Sequence, residues 1–281
     1  MATLAEALSV RGTGPGRYLG STPETRMQRT FGGLVAGQAM VAAVDTVDPA
    51  YAVHSLHGYF LRPGRPRLPI VFHVDEVRDG RSFCIRRVTG FQEGRAIFTM
   101  SASFHIAQAG PEHQDEMPRV PGPEELDLSW GRDEDFASVL AVEWPDWQLR
   151  LVPPALTVST TDQATRQQVW FRNIGPLPDD PLFHVCALTY MSDMTLLSAA
   201  FIPHHGQPIE GASLDHALWF LRPFRADEWL LYDQSSPSAG AGRALTQGRI
   251  YDQSGAMVAS VTQEGLMRTP IPVDETAPPP R

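Results

Sequence analysis

Nearly every position from 34 to 44 is small or apolar, with Leu34, Val35, Ala36, Ala39, Met40, Val41, Ala42, Ala43 and Val44. An apolar surface on all sides predicts a buried helix, here over residues 34–47, and not an amphipathic one on the surface. The turn Phe31-Gly32-Gly33 opens it. Four strand-like segments follow, at 52–61, 68–78, 82–92 and 95–107. They are separated by Pro63-Gly64-Arg65-Pro66, Asp79-Gly80-Arg81 and Glu93-Gly94, the Gly and Pro chemistry of tight reversals. The predicted unit is one buried helix followed by an antiparallel sheet.

The unit recurs. Residues 54–63 read His-Ser-Leu-His-Gly-Tyr-Phe-Leu-Arg-Pro, and residues 212–223 read Ala-Ser-Leu-Asp-His-Ala-Leu-Trp-Phe-Leu-Arg-Pro. Both end in Phe-Leu-Arg-Pro, 160 positions apart. Two copies indicate a tandem duplication, since a solenoid needs about three or more repeats. The offset places a second buried helix at 194–201, opened by Ser192-Asp193, and strands at 213–220, 229–234, 243–252 and 256–268. Segments 167–173 and 182–191 are further strand candidates, and 133–142 a short helix. The predicted organisation is a first unit at 1–109, a Pro- and Glu-rich linker at 110–149, a second unit at 150–268 and a proline-rich, disordered tail at 269–281.

Composition narrows the partners. The chain of 281 residues has 42 % hydrophobic and 20 % charged residues and a net charge of −9. No Lys/Arg block stands out, which argues against nucleic acid and anionic membranes. The sequence predicts neither a signal segment nor a membrane span. Cys84 and Cys186 sit in apolar, strand-like runs and are expected as buried thiols, with the cytoplasm as compartment.

Chemistry is harder to find. There is no Gly-x-Ser-x-Gly elbow, phosphate loop or dinucleotide fingerprint. His54 and His57 are three apart on a strand, point to opposite faces and do not make a metal pair. Three polar residues of the second unit stand out. Asp193 is at the expected helix start, where an N-cap accounts for it. Ser213 heads the repeated strand, where a hydroxyl bonds local backbone. Gln263 shares strand parity with Met257, Ala259 and Val261, so its amide needs buried partners. Each has a structural reading beside a chemical one. At the 160 offset Asp193 matches Gly33, Ser213 matches Val53, and Gln263 matches Ser103 or Ala102. The first copy lacks these groups, which points to chemistry in the second copy only.

Segments 31–39, 54–64 and 79–83, Arg86-Arg87-Val88, segment 213–224 and Gln263-Glu264-Gly265 together resemble the type II acyl-CoA thioesterases, across about residues 20–268. Leu34 departs from the family motif, which has Gln there. The resemblance implies an α+β double hot-dog fold, each unit a long helix wrapped by an antiparallel sheet, with the sheets joined edge to edge. It implies a homo-oligomer that hydrolyses medium- to long-chain fatty acyl-CoA by direct attack of water, without a cofactor or metal. Asp193, Ser213 and Gln263 match the family's catalytic set. Gly33 and His57 are expected to contact substrate, with Gly33 at the helix start as an oxyanion donor. The alternatives are a hot-dog enoyl-CoA hydratase using His57 or His216 as base, and a non-catalytic acyl-CoA-binding protein.

Overall fold

A computed structural model describes residues 2–126, 134–156 and 165–270. The predicted tail falls largely outside the described residues. The first unit runs α1 (Leu4–Leu8), β1 (Val10–Gly14), β2 (Arg17–Gly20), α2 (Gly32–Val44), β3 (Ala52–Phe60), β4 (Val71–Asp79), β5 (Phe83–Gln92) and β6 (Arg95–His105). Then come α3 (Glu134–Glu143), β7 (Trp147–Leu151) and β8 (Gln167–Asn173). The second unit continues with α4 (Pro181–Ser192), a 3-10 helix (Leu197–His204), β9 (Glu210–Ser213), β10 (Asp215–Phe220), β11 (Leu230–Gly240), β12 (Arg243–Asp252) and β13 (Met257–Arg268).

The described strands form a single 13-stranded antiparallel sheet. Its centre is the pairing of the two repeated strands: β3 lies against β10, with His57 opposite Ala217 and Leu56 opposite Leu218. The two units are therefore joined edge to edge, as expected of a double hot-dog. Joining them also removes two exposed strand edges, which are sites of unwanted pairing. β1 and β2 extend one end and β7 and β8 the other; the sequence pattern predicted neither the β1–β2 hairpin nor β7.

Helices α2 and α4 pack together, and glycine sets how closely. A Cβ on Gly33 would stand 2.1 Å from the Tyr190 carbonyl oxygen, and one on Gly37 would stand 3.5 Å from that of Cys186. Ala36, Ala39, Ala42 and Ala43 are buried, as are Ala187, Leu188 and Met191 facing them across the core. The predicted α2 is borne out.

The second helix is displaced from its expected place. Segment 182–191, read as a strand, is α4, and segment 194–201, read as the helix, is a turn leading into the 3-10 stretch. An apolar run of this length, rich in Phe, Val, Leu and Tyr, is ambiguous between strand and helix. The helix start was nevertheless written in the chain. Pro181 is the first helical residue, and the Asp180 carboxylate accepts from Leu182 N–H at 3.0 Å. The repeat offset misled because the units differ in length here. Asp45, the C-cap of α2, precedes Phe60 by 15 positions, whereas Asp193, the C-cap of α4, precedes Phe220 by 27. The counterpart of Asp193 is therefore Asp45 and not Gly33.

The stretch Pro181–His204 is apolar and long enough to cross a membrane by length and composition; 67 % of its most apolar window is buried within the fold, as in a core helix. Cys84 and Cys186 are free and buried, Cys186 on α4.

Candidate active site

The site begins with a slip in strand register. Along β10 and β13, Ala217 faces Thr262 and Leu218 faces Val261. Beyond Leu214 the pairing moves by one residue, so that Ser213 on β9 faces Gly265. A one-residue slip turns every following side chain to the other face. His216, Leu218 and Phe220 point to the helices from β10, and after the slip Ser213 does too. The first unit has the same irregularity between Val53 and Ser55.

Gln263, fully buried on the same inner face, lies one pair away. Ser213 Oγ donates to Asp193 Oδ1 at 2.9 Å, and Gln263 Nε2 donates to the same oxygen at 2.6 Å. The three residues singled out in the sequence thus meet at one atom. Gln263 Oε1 is buried and has no protein partner.

Asp193 is not the N-cap that its sequence position suggested. It is the C-cap of α4, where the helix dipole disfavours negative charge. The opposing helix offsets this. The first turn of α2 comes up against the Asp193 carboxylate, and the Gly33 backbone N–H favours its charged form. Burial dominates the balance and lifts the Asp193 pKa from its ordinary 3.8 to about 6, against the downward pull of Gln263, Ser213 and the Gly33 N–H. A carboxylate poised there is a competent base near neutral pH. The approach leaves no room for a side chain at residue 32, since a Cβ on Gly32 would stand 2.5 Å from Asp193 Oδ2 and 2.9 Å from the Phe60 ring.

The last turn of α4 is held from below. Tyr232 Oη donates to the Ser192 carbonyl at 3.0 Å. Ser192 Oγ donates to Thr189 O at 3.1 Å and lies 2.8 Å from His216 Nε2. With the Ser192 proton committed to that carbonyl, His216 donates from Nε2. Burial lowers the His216 pKa to about 4, so the ring is neutral at neutral pH. His216 was weighed in the sequence only as a hydratase base; here it anchors the turn that carries Asp193.

His57 is elsewhere. It shares the outer face with Ala217 and Thr262, opposite to the face that carries Gln263, and it is exposed with its ring edge-on to Trp219 at 4.9 Å. The structure does not bring it to the cluster. A His57→Ala variant is expected to keep turnover within about twofold of the unmodified protein, measured on one acyl-CoA, because truncating an exposed side chain away from the site changes little. Gly33 does reach the cluster, in the helix turn that faces Asp193.

Comparison with known proteins agrees with this geometry. Residues 22–105 match the model of the acyl-CoA thioesterase N-terminal domain, and residues 142–266 match the acyl-CoA thioesterase model. Acyl-coenzyme A thioesterase 8 of Mus musculus is 38 % identical over 267 residues, covering 89 % of this chain and 83 % of that protein. The chain belongs to the acyl-CoA thioesterase family. Acyl-CoA thioesterase 2 of Haemophilus influenzae is 32 % identical over 263 residues, covering 89 % of this chain and 92 % of the relative. Among solved structures, the acyl-CoA thioesterase II TesB2 of Mycobacterium marinum is 52 % identical with a TM-score of 0.86, over 95 % of this chain and 99 % of that one. A hot-dog protein of Alicyclobacillus acidocaldarius, 22 % identical with a TM-score of 0.78 over 95 % of this chain and 98 % of that one, shares the fold. This thioesterase is accordingly a hydrolase acting on acyl-CoA thioesters.

Proposed function

We propose that this thioesterase hydrolyses medium- to long-chain fatty acyl-CoA to free acid and CoA by direct attack of a water activated by Asp193. The observation that carries the mechanism is the convergence of Ser213 Oγ and Gln263 Nε2 on one oxygen of a buried carboxylate with a pKa near 6. Asp193 takes a proton from water as the water oxygen bonds to the thioester carbon. The tetrahedral adduct then expels CoA as thiolate, and the proton passes from Asp193 towards the leaving sulfur. Ser213 and Gln263 fix the carboxylate, and the unpartnered Gln263 Oε1 accepts a hydrogen from the water. First-turn N–H groups of α2 serve as donors for the developing oxyanion. No cofactor or metal has a step to perform. The hydratase reading is disfavoured by His216, whose Nε2 is committed to Ser192.

Release of free CoA from a saturated acyl-CoA, read with a thiol reagent, tests the activity; a hydratase or a binding protein releases none. The small cleft beside the first turn of α2, about 60 Å³ and lined by Met27, Phe31, Leu34, Trp144, Trp147 and Tyr190 with Thr25, Glu143 and Asp146, is the proposed seat of one part of the chain. Trp144 Nε1 donates to Tyr190 Oη at 2.8 Å, and the Phe31 ring sits edge-on to both. Filling it with Met27→Trp is expected to move the preference to shorter chains. The ratio of kcat/KM for dodecanoyl- over hexanoyl-CoA should fall about tenfold, in line with the one to three kcal/mol per displaced methylene contact. An unchanged ratio would place the chain elsewhere.

A homo-oligomer in the cytoplasm completes the proposal. Outer-face Tyr59 and Leu61 are 60 % and 46 % exposed and offer apolar surface for self-association, which sedimentation tests. The two free thiols fit a reducing compartment.

A further inference from the structure

The catalytic cluster has a counterpart that has lost its chemistry. The repeated strands match Phe220 with Phe60 and Ser213 with Val53, and the helix caps match Asp193 with Asp45. Thr262 opposite Ala217 corresponds to Ser101 opposite His57, so Gln263 corresponds to Ala102. The start of α4, at Pro181 and Leu182, takes the place of the start of α2.

Several of these residues line one cleft of about 680 Å³. Val53, Pro181, Leu182, Val185, Phe220 and Phe224 give it an apolar wall. The reactive groups are gone. Val53 has no hydroxyl and Ala102 no amide. Asp45 is turned to the Tyr18 hydroxyl, which donates to it at 2.7 Å. The end of α2 is taken up by the buried Arg86, which donates to Thr46 Oγ1 at 2.9 Å and Thr46 O at 3.1 Å.

The wall keeps a polar anchor. Ala226 N–H donates to His184 Nδ1 at 3.1 Å, so the ring hydrogen is on Nε2. That donor has no partner, and His184 is 2 % exposed. Charge around the cleft gives no strong attraction for an anion. Arg225 is paired with Asp179 and Asp227, Arg222 bonds the carbonyls of Met257 and His113, and Glu228 and Asp252 are acidic. His54, 2.9 Å from Ser103 Oγ through Nε2, and His105 line the opposite side, so recognition falls to an apolar chain whose polar end meets imidazoles.

We propose that this cleft binds the aliphatic chain of a second fatty acyl group, as acyl-CoA or as free acid, without hydrolysing it. The proposal rests on the assignment of the Asp193 cluster as the catalytic site, since that assignment defines which cleft is the counterpart.

Calorimetric titration of the full chain with S-dodecyl-CoA, a thioether that cannot be hydrolysed, tests it, with dodecanoate and CoA titrated in parallel. Two variants block the cleft without touching the cluster. Leu182→Asp puts a charge into the apolar wall while remaining favourable in a helix first turn. Ala52→Trp fills the mouth from an exposed position. The expected result is two equivalents of S-dodecyl-CoA bound by the unmodified chain and one by each variant, the second site weakened about tenfold or more. Both variants should hydrolyse dodecanoyl-CoA, at a concentration that fills the catalytic site alone, within about twofold of the unmodified chain. One equivalent throughout, with turnover intact, overturns the second site and leaves the catalytic assignment standing. Folded variants that bind one equivalent but have lost turnover show that the blocked cleft is the catalytic one, which overturns both. Dodecanoate occupying the second site supports the free acid as its ligand, and occupation by the thioether alone supports acyl-CoA. Saturation of the site by CoA without a chain overturns the proposal.

Discussion

Asp193→Asn is expected to lower acyl-CoA turnover by about 10²–10⁴-fold while the fold persists, the usual loss when a general base is removed. Asn keeps the size of the side chain and an oxygen to accept from Ser213 and Gln263. What it loses is the ability to take a proton. The unmodified enzyme should show kcat/KM rising with pH through about 6, because the ionised carboxylate is the active form and its pKa is lifted there by burial. Stability carries the same signature with opposite benefit. The folded protein holds the Asp193 proton to higher pH than the unfolded chain, so stability falls as pH rises from about 4 to about 6. The change contributed by this one group is on the order of 3 kcal/mol. Denaturant titrations across that window should show this fall in the unmodified protein and its loss in Asp193→Asn. A variant that keeps near-normal turnover would remove Asp193 from the mechanism.

Gly33→Ala is expected to damage both stability and rate. Its Cβ would stand 2.1 Å from the Tyr190 carbonyl oxygen and 2.5 Å from the Phe31 ring. Backbone cannot swing aside as a side chain does, so α2 and α4 must separate. Overpacking of this kind costs about 1–3 kcal/mol. The same displacement draws the first turn of α2 from Asp193, and misplacement of about 1 Å at a catalytic group can lower rate on the order of 10²-fold. Gly37→Ala is the comparison. There the tightest approach is the tip of Leu8, at 2.6 Å, a flexible side chain in a five-residue helix. It should melt closer to the unmodified protein and retain most of its turnover. Equal losses in the two variants would show that helix crossing in general, and not the Gly33–Asp193 contact, is what matters.

The repeated strands and the buried first helix were legible because glycine and proline punctuate them and because Phe-Leu-Arg-Pro recurs in full. Asp193, Ser213 and Gln263 were legible as a set, although for partly mistaken local reasons. Asp193 was read at the start of a helix and stands at the end of one. Sequence spacing measures chain length, and the extra residues between α4 and β9 broke the correspondence there while leaving the strands aligned. His57 lay in the most recognisable segment of the first unit, yet strand parity puts its ring on the far face. The register slip at Leu214, which brings Ser213 inside, has no compositional mark at all. It is visible only when two strands are seen side by side. The same holds for the Gly33 N–H, a backbone group that no residue pattern can single out beyond the glycine itself.

The approach of the first turn of α2 to Asp193 has a consequence for how the duplicated gene can vary. The acid comes from one copy and the helix start packed against it from the other, so neither copy encodes a working centre. Expressed as separate polypeptides, residues 1–126 and 134–281 should each be inert, and activity should return only when the two associate. Drift in the first copy is thus held in check by a reaction whose acid, hydroxyl and amide all belong to the second.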